Sequence, residues 1–251
     1  MSFSVNLLTK IVRRLSYNSM ADYNVAQKRI EYLGKNQVLH EHELESHDPL
    51  KLFKVWFQKA DSNKMIREPN AACLATATKD GVPSARFVLL KYFDSSGFTF
   101  FTNSDSRKGR ELEENPRAAM TFYWDQMDRS VRIEGRVEKM QPGDSSVYFS
   151  SRPRASQIGA HVSRQSTVIA SREYLEKLTE QIEAKYKDKE VPKPDYWNGY
   201  KIIPHSIEFW QGQSDRLHDR IQFIRSEDVG EHNKDVCQKG ENGWVFYRLS
   251  P

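Results

Sequence analysis

The chain has only two cysteines, Cys73 and Cys237, in 251 residues, and neither sits in a CxxC or Cys/His pattern. That scarcity excludes a disulfide framework and a structural zinc site, and it fits a reducing compartment. Long apolar runs are missing too: no stretch approaches the roughly 18 residues that a membrane-spanning helix needs, so no membrane partner is expected. Nor is there a strong charge of one sign. With 38 Lys and Arg against 34 Asp and Glu, the net charge is +4, a mild excess that suits phosphate-bearing small molecules as well as nucleic acid. A nucleic-acid surface would want clustered basic stripes, whereas these cations are scattered among acids. The chain also lacks GxGxxG, GxxxxGK[ST], HExxH and GxSxG, the key residues of dinucleotide-binding, P-loop, zinc-protease and α/β-hydrolase chemistry.

What is present suffices for a core. Hydrophobic residues make up 38% and aromatics 12%, and a chain of this length is one domain by default. Residues 1–19 carry Lys10, Arg13 and Arg14, several serines and no acid, with Leu7, Leu8, Ile11, Val12 and Leu15 at helical spacing. This is the makeup of an amphipathic mitochondrial presequence, and equally of a disordered basic tail; Met20 would then serve as an alternative start for a cytoplasmic form. Residues 1–47 are expected to form a mobile arm with one short helix at 26–33, and residues 48–251 the functional domain. Asp48 before Pro49 marks a helix start, with Leu50, Phe53, Trp56 and Phe57 as its buried stripe.

Strand signals follow at 72–78, 84–93 and 98–102, separated by glycine-containing turns. A short helix opens at Ser106 and stops at Asn115-Pro116, and residues 118–124 and 130–139 read as a hairpin. Helical patterns cover 145–151, 157–163 and 171–187, and the chain closes with strands near 206–210, 217–224 and 244–249. Strands grouped in hairpins, with no βαβ rhythm, predict a mainly β (α+β) fold: an antiparallel barrel carrying peripheral helices.

Four segments hold candidate chemistry. In EFWQGQSDRLHDR, residues 208–220, a strand would put Arg216, His218 and Arg220 on one face, whereas a helix would turn His218 away. The same charges also suit the solvated face of an edge strand. Trp210, Gln211, Gly212 and Gln213 favour a planar, phosphorylated heterocycle as the ligand. In SRKGRELEENP, Arg107 and Lys108 stand in a first helical turn, where cations oppose the macrodipole unless an anion joins them or solvent screens them. Arg86 and Lys91 bracket the apolar run 87–90; five positions apart, they point to opposite faces of an ideal strand. Tyr148 and Arg152 share a helix face at i, i+4, and with Ser156 beyond Pro153 they make either a phosphate cup or an ordinary helix surface.

In this order, the blocks RFVLLK (86–91), FFTNSDSRKG (100–109), YFSSRPRASQIGA (148–160), VSRQS (162–166) and EFWQGQSDRLHDR (208–220) resemble the pyridoxine (pyridoxamine) 5'-phosphate oxidase family. The resemblance runs from about Asp48 to Pro251. It implies an FMN-binding split β-barrel, antiparallel and Greek-key-like, working as a homodimer with FMN at the interface. It assigns FMN contacts to Arg86, Phe87, Val88, Leu89, Phe101, Thr102, Arg107, Lys108, Gln165, Ser166, Trp210 and Arg220. Lys91, Tyr148, Arg152 and Ser156 would hold the substrate phosphate, and Arg216, Leu217 and His218 would lie against the pyridine ring. Arg29 and Tyr32 look like lid residues of the arm. One position departs from the pattern: Ser130 stands where the family has a flavin-contacting glutamine.

The implied reaction removes hydride from C4' of pyridoxine or pyridoxamine 5'-phosphate to flavin, with O2 as acceptor and H2O2 released. Arg216 would orient and polarise the substrate, and His218 would position its ring or 3-hydroxyl. A non-catalytic FMN or pyridoxal phosphate carrier or sensor is the competing expectation; it would keep the phosphate cups and lose Arg216 and His218.

Overall fold

In the computed structural model, Asp48 starts the first helix, α1 (Pro49–Ser62), by accepting at Oδ1 from the main-chain N–H of Leu50 at 2.9 Å and of Lys51 at 3.4 Å. The described residues are Val25, Tyr32, 38–230 and 235–251. Two units divide the chain, Met1–Glu31 and Tyr32–Pro251. Of the first, only Val25 is described, and it is exposed. The expected presequence at 1–19, Met20 and Arg29 lie outside the described residues, as does all but Tyr32 of the expected helix at 26–33.

The second unit continues with β1 (Ala71–Ala77), β2 (Pro83–Leu89), β3 (Tyr92–Asp94), β4 (Gly97–Asn103), α2 (Arg107–Glu114), β5 (Arg117–Trp124) and β6 (Arg129–Lys139). After three helices, α3 (Pro142–Ser151), α4 (Arg154–Val162) and α5 (Arg172–Tyr186), come β7 (Trp197–Gln211), β8 (Asp219–Arg225), β9 (Gln238–Lys239) and β10 (Trp244–Arg248). Pairing is antiparallel in the order β2-β1-β5-β6-β7-β8-β10-β9, with β4 on β7 and β3 on β4. Among the described residues the ladder does not close on itself: β2 is an edge there, and the barrel is split. Strand β7 joins the parts. Its start, Trp197–Ile202, pairs with β4, and its end, Ser206–Gln211, pairs with β8.

Two strand expectations need correction. Strand β7 begins at Trp197 rather than near 206. Pro204 hid this, because it lacks a ladder donor; it falls where the β6–β7 register shifts at Glu134/Gly135. The strand expected at 84–93 breaks at Leu90-Lys91, where Leu90 N donates to Asn70 O at 2.8 Å and Lys91 N to Thr99 O at 2.9 Å. The chain changes partner there, so the strand parity expected to separate Arg86 from Lys91 does not apply.

Packing forms two clusters. The barrel interior holds Phe53, Trp56, Phe98, Phe122, Phe209 and Phe223, all fully buried. Phe53 meets the edges of Phe98 at 4.9 Å and Phe93 at 5.0 Å and lies 5.2 Å from Phe122. Phe53→Ala removes these contacts and leaves a cavity, so stability should fall by about 3–5 kcal/mol in a urea titration. A loss under about 1 kcal/mol would show that the barrel core is not packed on α1. A smaller cluster of Phe149, Ile158, Val162, Val191 and Trp197 sits under α3 and α4, with Leu175, Leu178 and Ile182 of α5 against it.

Candidate active site

Helix α2 starts with two cations and carries their counter-ion one turn later. Ser106 caps it, accepting from Gly109 N at 3.2 Å. A side chain at Gly109 would collide with the Ser104 carbonyl, so glycine lets this turn sit tight against the end of β4. Arg107 Nε donates to Glu111 Oε1 at 2.8 Å, and Glu111 Oε2 also accepts from Ser84 Oγ at 2.6 Å, from Thr76 Oγ1, and from Arg86 Nη2 at 3.3 Å. Burial raises the Glu111 carboxyl, but the hydrogen bonds from Ser84, Thr76 and Arg107 and the charge of Arg86 outweigh it and hold it at about 2. Arg86 further donates to Thr76 Oγ1 at 2.5 Å and Leu74 O at 3.2 Å. Arg86 and Arg107 are thus braced against Glu111. The i, i+4 spacing of Arg107 and Glu111 was the signal for it.

Lys108 points the other way. It is 7% exposed, and its Nζ donates to Thr102 Oγ1 at 3.0 Å and Gln165 Oε1 at 2.9 Å, both neutral. Burial, and then the charge of Arg86, bring its ammonium down to about 8, against the opposing pull of Glu111. Lys108, Thr102 and Gln165 line a cleft of about 420 Å³ shared with Phe87, Val88 and Leu89 of edge strand β2, and with Phe101, Lys91, Tyr148, Arg152 and Ser156. Among the described residues, three cations and no acid line this cleft. Ser166, next to Gln165, has φ 72°, a left-handed conformation that costs a non-glycine residue about 1 kcal/mol.

Helix α3 ends at Ser151, so Arg152 is not on its face as the i, i+4 reading held. It is the extended C-cap residue, at φ −71° and ψ 150°. Its guanidinium lies 4.8 Å above the Trp197 ring, and Trp197 in turn stacks on Phe101 at 5.0 Å. Tyr148 is 4.3 Å from Phe101. Gly199 makes this stack possible, because a Cβ there would stand 2.8 Å from the Phe101 ring. Arg152 Nη1 is buried with no hydrogen-bond partner among the described residues. A buried guanidinium donor left open in this way costs about 1–3 kcal/mol or more, a cost that an anion in the cleft would remove.

A second cleft, of about 630 Å³, lies over β5–β8 and shares no lining residue with the first. Trp210 of β7 pairs across the ladder with Arg220 of β8. Arg220 donates to Glu208 from Nε at 2.7 Å and Nη2 at 3.2 Å, and to Ser250 O from Nη1 at 2.9 Å. Its hydrogen bond to Glu208 raises its pKa. With three of five guanidinium protons used, two remain for a ligand. Glu208 also accepts from Arg132 at 2.6 Å, a role that the sequence reading overlooked. Ser130 lines this cleft, but its hydroxyl donates to Phe122 O at 2.9 Å.

The one-face reading of Arg216, His218 and Arg220 is corrected here. Strand β8 starts only at Asp219; Arg216 sits in the preceding turn at φ 71°, and Leu217 is 68% exposed. The turn is held by Arg216 N donating to Gln213 O at 3.2 Å and Leu217 N to Asp215 Oδ1 at 2.9 Å. His218 comes together with Trp210 at 5.0 Å and Tyr32 at 5.3 Å, and the Arg216 guanidinium lies 5.9 Å over the Tyr32 ring. Gln213 N donates to His218 Nδ1 at 3.0 Å. A main-chain N–H can only donate, so Nδ1 is the acceptor and the neutral ring carries its proton on Nε2.

Residues 59–186 match the family model "Pyridoxamine 5'-phosphate oxidase", and residues 197–251 match "Pyridoxine 5'-phosphate oxidase C-terminal dimerisation region". The chain is 50% identical over 240 residues to the pyridoxine/pyridoxamine 5'-phosphate oxidase of Bombyx mori, covering 94% of this chain and 93% of that one. The crystal structure of PhzG from Burkholderia lata 383, in complex with tetrahydrophenazine-1-carboxylic acid, superposes with a TM-score of 0.73 at 30% identity, over 86% of this chain and 98% of that one. A pyridoxamine 5'-phosphate oxidase-related, FMN binding protein from Nostoc punctiforme PCC 73102 shares the fold, with a TM-score of 0.58 at 12% identity over 79% and 97% of the two chains. Half the residues identical along nearly the whole length, on a split barrel with an acid-free cationic cleft, place the chain in the pyridoxine/pyridoxamine 5'-phosphate oxidase family.

Proposed function

We propose that the chain is an FMN-dependent oxidase that converts pyridoxine 5'-phosphate and pyridoxamine 5'-phosphate to pyridoxal 5'-phosphate. It works as a homodimer, with each cofactor between the two copies and O2 as the final acceptor. The observation that carries this reading is the acid-free cleft with its open Arg152 donor. FMN supplies the electron-accepting chemistry when bound. Its phosphate fits the group built from Lys108, Thr102 and Gln165, with Ser166 next in the chain, and the substrate phosphate fits Lys91, Tyr148, Arg152 and Ser156. Arg86 and Arg107, braced by Glu111, add positive potential beside the cofactor phosphate.

The ring-binding residues lie elsewhere on the chain. From β2, which carries Phe87–Leu89, to β7, which carries Trp210, the sheet runs four strand steps, about 19 Å. A second copy closes that gap: its Trp210 and Arg220 would meet the cofactor, and its Arg216, Leu217 and His218 the pyridine ring. Phe87, 77% exposed on the edge strand, offers apolar surface for such a contact. Family membership through a C-terminal dimerisation region supports the same assembly. In the site, Arg216 would orient and polarise the substrate, while His218 would position the ring or donate from Nε2 to its 3-hydroxyl oxygen. A carrier would keep the phosphate groups without Arg216 and His218; both are present, next to Tyr32 and Trp210.

Lys108 sets a pH dependence. Its charged form binds the cofactor phosphate, so FMN affinity should be flat between about pH 6 and pH 8 and fall by up to tenfold per unit above that, as binding must then recover a proton. The phosphate itself is already dianionic there, its second pKa being about 6. Flavin fluorescence titrations check this, and Lys108→Met should weaken binding and abolish the slope. An unchanged slope in that variant would remove Lys108 from the phosphate site. The activity is tested by adding pyridoxine 5'-phosphate in air to the FMN-loaded protein. Aldehyde and peroxide should form together; bound flavin with neither product would reduce the protein to a carrier.

A further inference from the structure

Asp219 lines neither cleft, yet it ties two distant segments, at Leu39 and Arg248, to the ring-binding turn at Gln213. It is 5% exposed at the start of β8. Its Oδ2 accepts from Leu39 N at 3.0 Å and Gln213 Nε2 at 2.6 Å, and its Oδ1 from Arg248 Nη1 at 2.5 Å. A carboxylate this buried persists only when its acceptor sites are filled, and here each donor comes from a different segment. Two of them lead outward: Arg248 also donates to Leu39 O at 2.6 Å and to Glu41 at 2.8 and 2.9 Å, closing a latch between the residues before α1 and the last strand. The third leads inward. Gln213, held by its side chain, gives its main-chain N–H to His218 Nδ1 and takes the Arg216 N–H on its carbonyl.

A counter-ion for Arg248 alone would not need Asp219, because Glu41 already accepts two of its bonds. We infer that Asp219 is a positioning residue for the pyridine subsite. Acting through Gln213, it fixes the tautomer and direction of His218 and the left-handed turn of Arg216, and it makes that geometry depend on the Leu39–Glu41 latch. The inference rests on the proposed role of Arg216 and His218, and goes beyond it by naming what holds them.

The test is Asp219→Asn in the full-length, FMN-loaded protein. An amide of the same size turns one acceptor into a donor facing donors. KM for pyridoxine 5'-phosphate should rise roughly tenfold, since small misplacement of a positioned group has effects of this order, while FMN affinity stays within about twofold. The ring nitrogens of His218, followed by 15N NMR, should lose their single Nε2–H pattern, and Leu39 amide exchange should speed up. In an H218A background, D219N should add less than about twofold, because both changes remove one interaction. Should D219N fail to fold, Gln213→Leu removes the side-chain bond to Asp219 and carries the same expectations for KM and for the His218 ring, with Leu39 exchange unchanged because its bond to Asp219 remains. Impaired H218A with unchanged KM and unchanged His218 shifts in D219N would overturn the role of Asp219. Normal kinetics in H218A would instead overturn the site reading beneath it.

Discussion

Arg152→Ala is expected to raise the KM for pyridoxine 5'-phosphate on the order of 100-fold with FMN still bound, because a buried charge-assisted bond is worth about 1.5–3 kcal/mol. The guanidinium lies over Trp197 with Nη1 open, so it is already in place before an anion arrives. Little ordering cost is left to pay on binding. Removal therefore forfeits most of the interaction. Arg152→Lys keeps the charge and loses the planar fork that stacks on Trp197, and should recover only part of the affinity. The loss should be confined to phosphorylated compounds: the low rate with unphosphorylated pyridoxine should be the same in the variant and the parent. A KM within about threefold of the parent would take Arg152 out of the phosphate group.

Arg216→Ala should lower kcat/KM by about 10²–10³, the range for loss of a positioned electrostatic donor, again without loss of FMN. Its backbone complicates the reading. At φ 71° alanine keeps the left-handed strain while losing the guanidinium, so part of any effect would be a shifted turn. Arg216→Gly separates the two, because glycine accepts that conformation freely. If the guanidinium carries the effect, both variants lose activity alike; a glycine variant with near-parental kcat/KM would show that only the turn matters.

Much of this was readable before the structure. The Asp48 cap, the α2 start at Ser106 and the hairpin of β5 and β6 rest on neighbours within a few residues, which is the range over which capping and alternation act. Lys91, Lys108, Tyr148, Arg152 and Ser156, all singled out by residue type in the sequence, do line one cleft. What failed was periodicity carried across a break. Lys91 leaves the strand because Asn70 and Thr99 take its neighbourhood's main-chain bonds, and these partners lie outside any local window. Arg216 leaves β8 because Gln213, Asp215 and the His218 ring bond the turn into place. Arg152 leaves α3 at the residue before Pro153, where proline disfavours the helical conformation; that stop was visible, and the spacing argument passed over it. Asp219 was invisible for a different reason: its partners lie up to 180 residues away.

Lys91, Lys108 and Arg152 line one cleft of the chain and Trp210, His218 and Arg220 another, and the proposed function depends on a second copy joining them. The measurement that tests this most directly is complementation between Arg152→Ala and Arg216→Ala, co-expressed with different tags. In a mixed dimer one site collects both lesions and the other has none. Random pairing makes half the dimers mixed, so activity assayed at substrate no higher than the parental KM should return to about a quarter of the parental value, although each variant alone is nearly inactive there. Purified mixed dimers that stay as inactive as the two parents would contradict the composite site.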